Sequence, residues 1–323
     1  MLKKREKASK KIQKPKKEKH AKKDFKLTLR LKLTIIFLIV GIVPMAIALF
    51  IGYRNSSKTI SKQSFAQLVS VRESKKSEIK DYFETIEHQV ITLSENSMTV
   101  DAMRDFRPAF HGIKNELGLS SSDIEIYRKS VANYYTNEFY GVFKSKSIES
   151  VSPESLIPRE DSSIIFQYNY ISNNKNPLGN KDALIEASDG SGYSLLHKKY
   201  HPIFRSYLEK FGFYDIFLVD AKTGHIVYSV FKELDYSTNI NSGQYGGSGI
   251  GRAFKMARDS GAKDSASLTD FKPYVPSYTA PASFISSPVF DRGKMIGVLI
   301  FQMPIDKINS IMTSAKRWKD IGL

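Results

Sequence analysis

Twenty-one consecutive residues, Leu33 to Tyr53, read LTIIFLIVGIVPMAIALFIGY and carry no charged side chain. A helix rises about 1.5 Å per residue, so this stretch reaches across the roughly 30 Å of a bilayer's hydrocarbon core. It therefore predicts a transmembrane helix over residues 33–53. Pro44 lies near its middle, where neighbouring groups in a membrane helix re-satisfy the freed carbonyl. A cleaved leader is the competing reading, but the run exceeds a leader's apolar segment and no small-x-small site precedes Arg54.

The formal charge of +16 belongs mostly to one end of the chain. Residues 1–32 hold 15 Lys or Arg against Glu6, Glu18 and Asp24, a net of +12, which leaves +4 for the other 291 residues. The twenty residues after the apolar run contain only Arg54, Lys58, Lys62 and Arg72 as cations. Positive charge stays on the cytoplasmic side, so a basic cytoplasmic tail over 1–32 and an extracytoplasmic bulk from 54 onward are expected. The lysine run lacks the interleaved aromatics and fold of a nucleic-acid binder, and attraction to anionic lipid explains it more simply. No nucleic-acid partner is expected. The chain has no cysteine, which excludes disulfides, thiolate metal sites and a cysteine nucleophile.

Beyond the membrane, Ser56 to about Val100 reads as one long helix with Leu68, Ile79, Tyr82, Ile86, Val90 and Leu93 at helical spacing. That stripe suits packing against the chain's own domain or against a second copy, as in a homodimer. Asp101–Phe143 reads as shorter helices broken at Pro108 and at Leu117–Ser122. A boundary falls in the Ser- and Pro-rich Lys144–Pro158, so residues 54–158 are taken as the stalk and helical region. Ser163–Ile171 favours an extended or mixed segment, and Tyr193–Phe211 a helix abutting or bent at Pro202.

The period then changes. Phe213–Asp220 and His225–Phe231 read as a hairpin, followed by a Gly-rich loop and a short helix near Ile250–Ala257. Ala266–Phe271, Phe284–Phe290 and Met295–Met303 supply three more strands. The fold class expected is α+β: one transmembrane helix, long extracytoplasmic helices and an antiparallel sheet.

This element order resembles a PAS-like Cache sensor domain over residues 159–310. Val71–Lys76, Tyr82-Phe83, Asn176–Lys181, Tyr200-His201-Pro202, Phe211–Asp220, Val227–Glu233 and Gln302–Asp306 are similar to the extracytoplasmic region of bacterial methyl-accepting chemotaxis receptors. The resemblance implies extracytoplasmic sensing of a small-molecule ligand by a single-pass inner-membrane receptor, with no enzymatic activity and no cofactor. Similar regions precede nucleotide cyclases and phosphatases, so the sensor half of such an enzyme is the alternative. The family continues into a second module, a second membrane helix and an output domain. Residues 311–323, with Trp318, resemble the linker to that module, so a truncated sensor, a gene fragment or a sensor acting without its own output is expected.

A Cache pocket lies between the sheet and the elements covering it, which implies Tyr228, Lys232, Asp235, Asp270, Tyr274, Ser277 and Phe284 as ligand-binding candidates. The aromatic rings would wall the pocket while the charged groups orient a polar or zwitterionic ligand. Amino-acid-binding members carry Arg-x-x-Trp-Tyr, which is missing here, so an amino-acid ligand is not expected. His197 and His201 stand four residues apart, a spacing that can share a metal, but no third ligand accompanies them. Gly246–Gly251 has the look of a phosphate loop without the preceding parallel strand or the Gly-Lys ending, and is read as a flexible pocket lid. No Ser-His-Asp order or paired-carboxylate motif stands out.

Overall fold

The structure is a computed structural model that describes residues 27–313. Most of the basic tail and Trp318 lie outside the described residues. Two compact units meet in sequence at Val69 and Ser70. The first contains the apolar span, whose side chains are exposed throughout, on a helix long and apolar enough to cross a membrane.

That helix, α1, runs unbroken from Leu29 to Glu95 with Pro44 inside it. Its apolar stripe divides along its length. Ile86, Val90 and Leu93 are buried in the second unit, whereas Ile60, Phe65 and Leu68 are exposed. Asn96 then takes extended backbone, its side chain accepts the Met98 amide, and a new helix α2 follows over Ser97–Glu116. Pro108 does not break α2, contrary to expectation; the helix ends at Leu117, and the positive φ of Gly118 turns the chain.

Next along the chain come α3 (Ser121–Asn133, with a Ser120/Asp123 capping box), α4 (Tyr140–Lys146), α5 (Asp161–Gln167) and α6 (Gly192–Phe211). The segment expected to be extended is α5 continuing into a wide π-type turn, Tyr168–Ser172. Ile164, Ile165 and Phe166 are all buried there, so an uninterrupted apolar run marked a helix surrounded by core rather than a strand. A second π turn, Tyr134–Phe139, joins α3 to α4. α6 passes through Pro202 without interruption and ends on Gly212 in the left-handed conformation.

The sheet is antiparallel in the order β2-β1-β6-β5-β3, with a short β4 also on β5. Its strands are β1 (Asp215–Asp220), β2 (Ile226–Ser229), β3 (Ser267–Leu268), β4 (Lys272–Pro273), β5 (Pro281–Asp291) and β6 (Lys294–Pro304). Helix α7 (Gly249–Ser260) lies between β2 and β3, and α8 (Ile305–Thr313) follows β6. The fold is thus α+β. β5 and β6 are joined across Arg292 and Gly293, whose φ of 48° and 80° suits a tight hairpin turn.

Pairing register assigns the two faces. Asp215, Phe217, Ser229, Phe284, Ser286, Ile300 and Gln302 share one face, because directly opposed residues point the same way. α7 covers it, with Ser286 Oγ donating to the Ala253 carbonyl at 2.8 Å. Ile216, Leu218, Asp220, Tyr228, Ile285, Ser287, Leu299 and Phe301 share the other. The end of α1, with α2 and α6, covers that one: Ser94 Oγ meets Ser287 Oγ at 2.9 Å, and Phe106 stacks on Tyr228 at 5.1 Å. Arg107 and His111 of α2 hold Asp220 at 2.9 and 3.0 Å. Burial opposes ionisation of Asp220, but His111, the Lys222 amide, Arg107 and Thr223 outweigh it and hold its pKa down to about 2.

The Gly-rich run is closely packed rather than an open lid. Tyr245, Ile250 and Gly251 are buried, and a β-carbon on Gly251 would lie 2.5 Å from the Gly246 carbonyl oxygen. Gly247, four residues earlier, has nothing within 4 Å of such a carbon. Gly251→Ala is therefore expected to destabilise the protein by about 1–3 kcal/mol through forced backbone displacement, with Gly247→Ala close to neutral. Thermal melts of the two detergent-solubilised variants check this.

Candidate ligand-binding site

A cavity of about 700 Å³ opens beside the β2 edge of the sheet. The π turn contributes Tyr134 and Phe139 to its wall, the Leu178-Gly179 turn leads into Lys181, and the loop before β5 supplies Ser277, Tyr278 and Thr279. The segment after β2 brings Phe231, Lys232 and Glu233, and Tyr214 enters from the start of β1. Three of these residues, Lys232, Tyr278 and Thr279, hold φ near 60°. Left-handed backbone at non-glycine residues is costly and persists where the surroundings over-determine it, as at binding sites.

Hydrogen bonds lead from the cavity wall to the sheet. Tyr214 Oη donates to Glu233 Oε1 at 2.6 Å, and Ser277 Oγ donates to Glu233 Oε2 at 2.9 Å. Gln302 Nε2 on β6 donates to Ser277 Oγ at 3.0 Å. Gln302 faces Asp215 across the ladder on one side and Phe284 on the other. Asp215 Oδ1 accepts three backbone N–H groups, from Ile216, Val230 and Phe231, at 2.6 to 2.9 Å, which ties the edge segment to β1. Asp235 Oδ2 accepts from Tyr274 Oη at 2.6 Å, and the Tyr274 ring meets Phe284 edge-on at 5.0 Å.

Burial governs the electrostatics of this cluster. It pushes the Glu233 carboxyl up, with the Asp235 charge adding to the effect. Burial likewise raises Asp215, again reinforced by Asp235, and lifts Asp235 itself to about 6. Lys232 is 1% exposed, and its ammonium donates to the Ser229 and Val230 carbonyls, both at 3.1 Å. The rings of Tyr170, Tyr228 and Tyr236 surround it at 5.5 to 5.9 Å. Burial without a carboxylate contact pulls its pKa down.

Of the sequence candidates, Lys232 and Ser277 line the cavity, whereas Asp235, Tyr274 and Phe284 are buried and joined to one another through Tyr274 without lining it. Asp270 and Tyr228 do not line it either. Asp270 is exposed and caps the Phe271 amide at 2.8 Å, because the β3–β4 connection turns its side chain to solvent. Tyr228 is buried on the opposite face of the sheet from Asp215, where its hydroxyl meets His201 Nδ1 at 2.8 Å and its ring lies 5.5 Å from the Lys232 ammonium. His197 and His201 are buried and stacked at 4.2 Å. His201 uses both ring nitrogens, on Tyr228 and on the Asp182 carbonyl at 2.7 Å, while His197 Nδ1 meets the Ile185 carbonyl. Burial and the Lys232 charge push both histidines down, His201 to about 2, so they serve as neutral packing partners.

Asp215, Glu233, Gln302, Tyr214 and Lys181 were absent from the sequence candidates. Asp215 and Gln302 had a signal: each is a polar residue beside apolar strand neighbours, and the two are ladder partners. The ladder itself had to be known to read it.

No protein-family model matches the sequence, and no curated protein matches it. Among solved structures, the chain is similar to the sensor domain of the V. cholerae histidine kinase DctB, at 16% identity over 36% of this chain, with a TM-score of 0.28. The match spans 41% of that domain's length and carries no weight for function.

Asp235 generates a pH prediction. Its folded pKa of about 6 lies above an unfolded value of about 3.9, so its contribution to stability is complete below pH ~4 and is lost as pH rises through 6. Asp235→Asn removes that titration. Relative to the parent, the variant should therefore gain on the order of 3 kcal/mol between pH 4 and pH 7. Urea denaturation curves at the two pH values measure it.

Proposed function

We propose that this chain is the membrane-anchored sensing part of a bacterial signalling receptor, with its N-terminus in the cytoplasm and residues from 54 onward outside. It would bind a small molecule in the cavity beside β2, without catalytic chemistry of its own. One observation carries this reading: a single helix, α1, contains both the uncharged span and, at its far end, Val90, Leu93 and Ser94 buried against the ligand domain. A ligand that draws the segment after β2 toward the sheet would bias the α1 packing on the opposite face, and so pass a change of population along the helix. Pairing of two chains through α1 belongs to the same proposal, supported by Ile60, Phe65 and Leu68 left exposed on it. Chemotaxis is the output that fits the resemblance to methyl-accepting receptors.

Because the chain has no cysteine, single cysteines report topology directly. In intact cells a membrane-impermeant maleimide should label Lys210→Cys and spare Lys10→Cys. The reverse pattern would overturn the proposed orientation. Screening metabolites against the detergent-solubilised chain should yield a compound that raises its melting temperature and whose effect is lost in Ser277→Ala.

A further inference from the structure

Pro276, Ser277, Tyr278, Thr279 and Ala280 follow one another along the chain and all line the cavity. They form a strap whose ends are bonded to each other: the Tyr274 amide donates to the Ala280 carbonyl at 3.2 Å, and the Thr279 amide to the Tyr274 carbonyl at 2.9 Å. Ser277 pins one side of it to Glu233 and Gln302. With the base held in this way, Tyr278 and Thr279 are the tip. Compact loops with closed ends recur at functional sites because the tip can move while the ends stay in place.

The tip rests on a different element. The Tyr278 ring stacks on Phe139 of the π turn at 5.1 Å, the Lys146 ammonium at the end of α4 lies 4.6 Å from that ring, and Thr279 Oγ1 donates to Ser147 Oγ at 2.8 Å. Phe139 and Lys146 also line the cavity, so the tip joins separate parts of its wall. Each contact is modest alone: a ring pair, an exposed cation over a ring and one hydroxyl pair. Against them, Tyr278 and Thr279 hold φ of 57° and 62° in succession, a backbone that costs bulky and β-branched residues free energy. Modest contacts opposed by backbone strain make the tip the most easily released part of the wall.

Resting on the sensing role proposed above, we infer that Tyr278 is the gate of the ligand cavity, latched on Phe139, Lys146 and Ser147 and opened when the tip of the strap lets go of them. The gate is this strap rather than the Gly-rich run, whose Gly251 is hemmed in by backbone.

Thiol accessibility tests this without a ligand, because the chain has no cysteine. Leu234→Cys places a thiol in the cavity wall at a position 1% exposed, and Lys210→Cys gives the rate at an exposed one. Full-length variants in detergent are reacted with the water-soluble methanethiosulfonate MTSES, and melts show that each is folded; should Leu234→Cys not fold, Leu178→Cys in the same wall replaces it. Leu234→Cys should react far more slowly than Lys210→Cys. Adding Lys146→Met with Ser147→Ala should speed it by about fivefold or more, since the rate follows the open population. Tyr278→Gly should speed it further, whereas Tyr278→Phe, which keeps a ring on Phe139, should not. Lys144→Met is the neutral contrast, because that ammonium lies over Tyr140 and not over the strap. Val298→Cys, at a position 0% exposed in β6, reports global opening and should stay slow in every background. The gate is overturned by a parent rate equal to that of Lys210→Cys, by no acceleration in the latch and Tyr278→Gly backgrounds, or by Val298→Cys accelerating in step. None of these results touches the sensing role, which the maleimide topology and the metabolite screen decide.

Discussion

The β5–β6 hairpin is buried on both faces, and the rest of the second unit is arranged to keep it so. Val289, Val298, Leu299, Ile300 and Phe301 are all nearly inaccessible. Strands with apolar side chains on both sides need cover on both sides. One cover is the far end of α1 with α2 and α6; the other is α7 and the loops flanking it. The two covers see different chemistry because the strand period is two.

On the helix side most buried polar groups are engaged, although Thr99 Oγ1 and His197 Nε2 have no partner. Asp220 is held by Arg107 and His111, and Ser94 by Ser287. On the α7 side the carboxyls of Asp215, Glu233 and Asp235 are crowded together and pushed toward protonation by burial. Lys232 sits close by with its ammonium on carbonyls rather than on those acids. A polar network only partly satisfied in a low-dielectric interior is costly, and such a cost persists where binding relieves it.

Much of this organisation could be read from residues alone. The uncharged run 33–53, the long helix after it, the β1–β2 hairpin and the β5–β6 pair stand near their expected places, since each has strong periodicity or a diagnostic turn. The errors have common causes. Pro108 was weighed as a breaker, yet it lies within a helix whose packing outweighs one lost hydrogen bond; at Pro202, where abutting helices or a bend were expected, the chain stays in one helix. Ser163–Ile171 was weighed as extended or mixed because a fully buried helix and a buried strand share the same apolar run. Asp270 was grouped with the site from its expected place on the strand Ala266–Phe271, although its side chain is exposed.

What the sequence determined by itself were properties carried by one segment at a time: membrane-spanning length, charge asymmetry, helix and strand identity, the α+β class. Tertiary structure alone decided which polar residues meet. Asp215 and Gln302 lie 87 positions apart and become neighbours only through the β1–β6 ladder, while Tyr228, four residues before Lys232, is sent to the opposite face. Local periodicity sets the kind of element a segment forms; register and pairing between distant segments set the chemistry of the pocket, and no single segment encodes them.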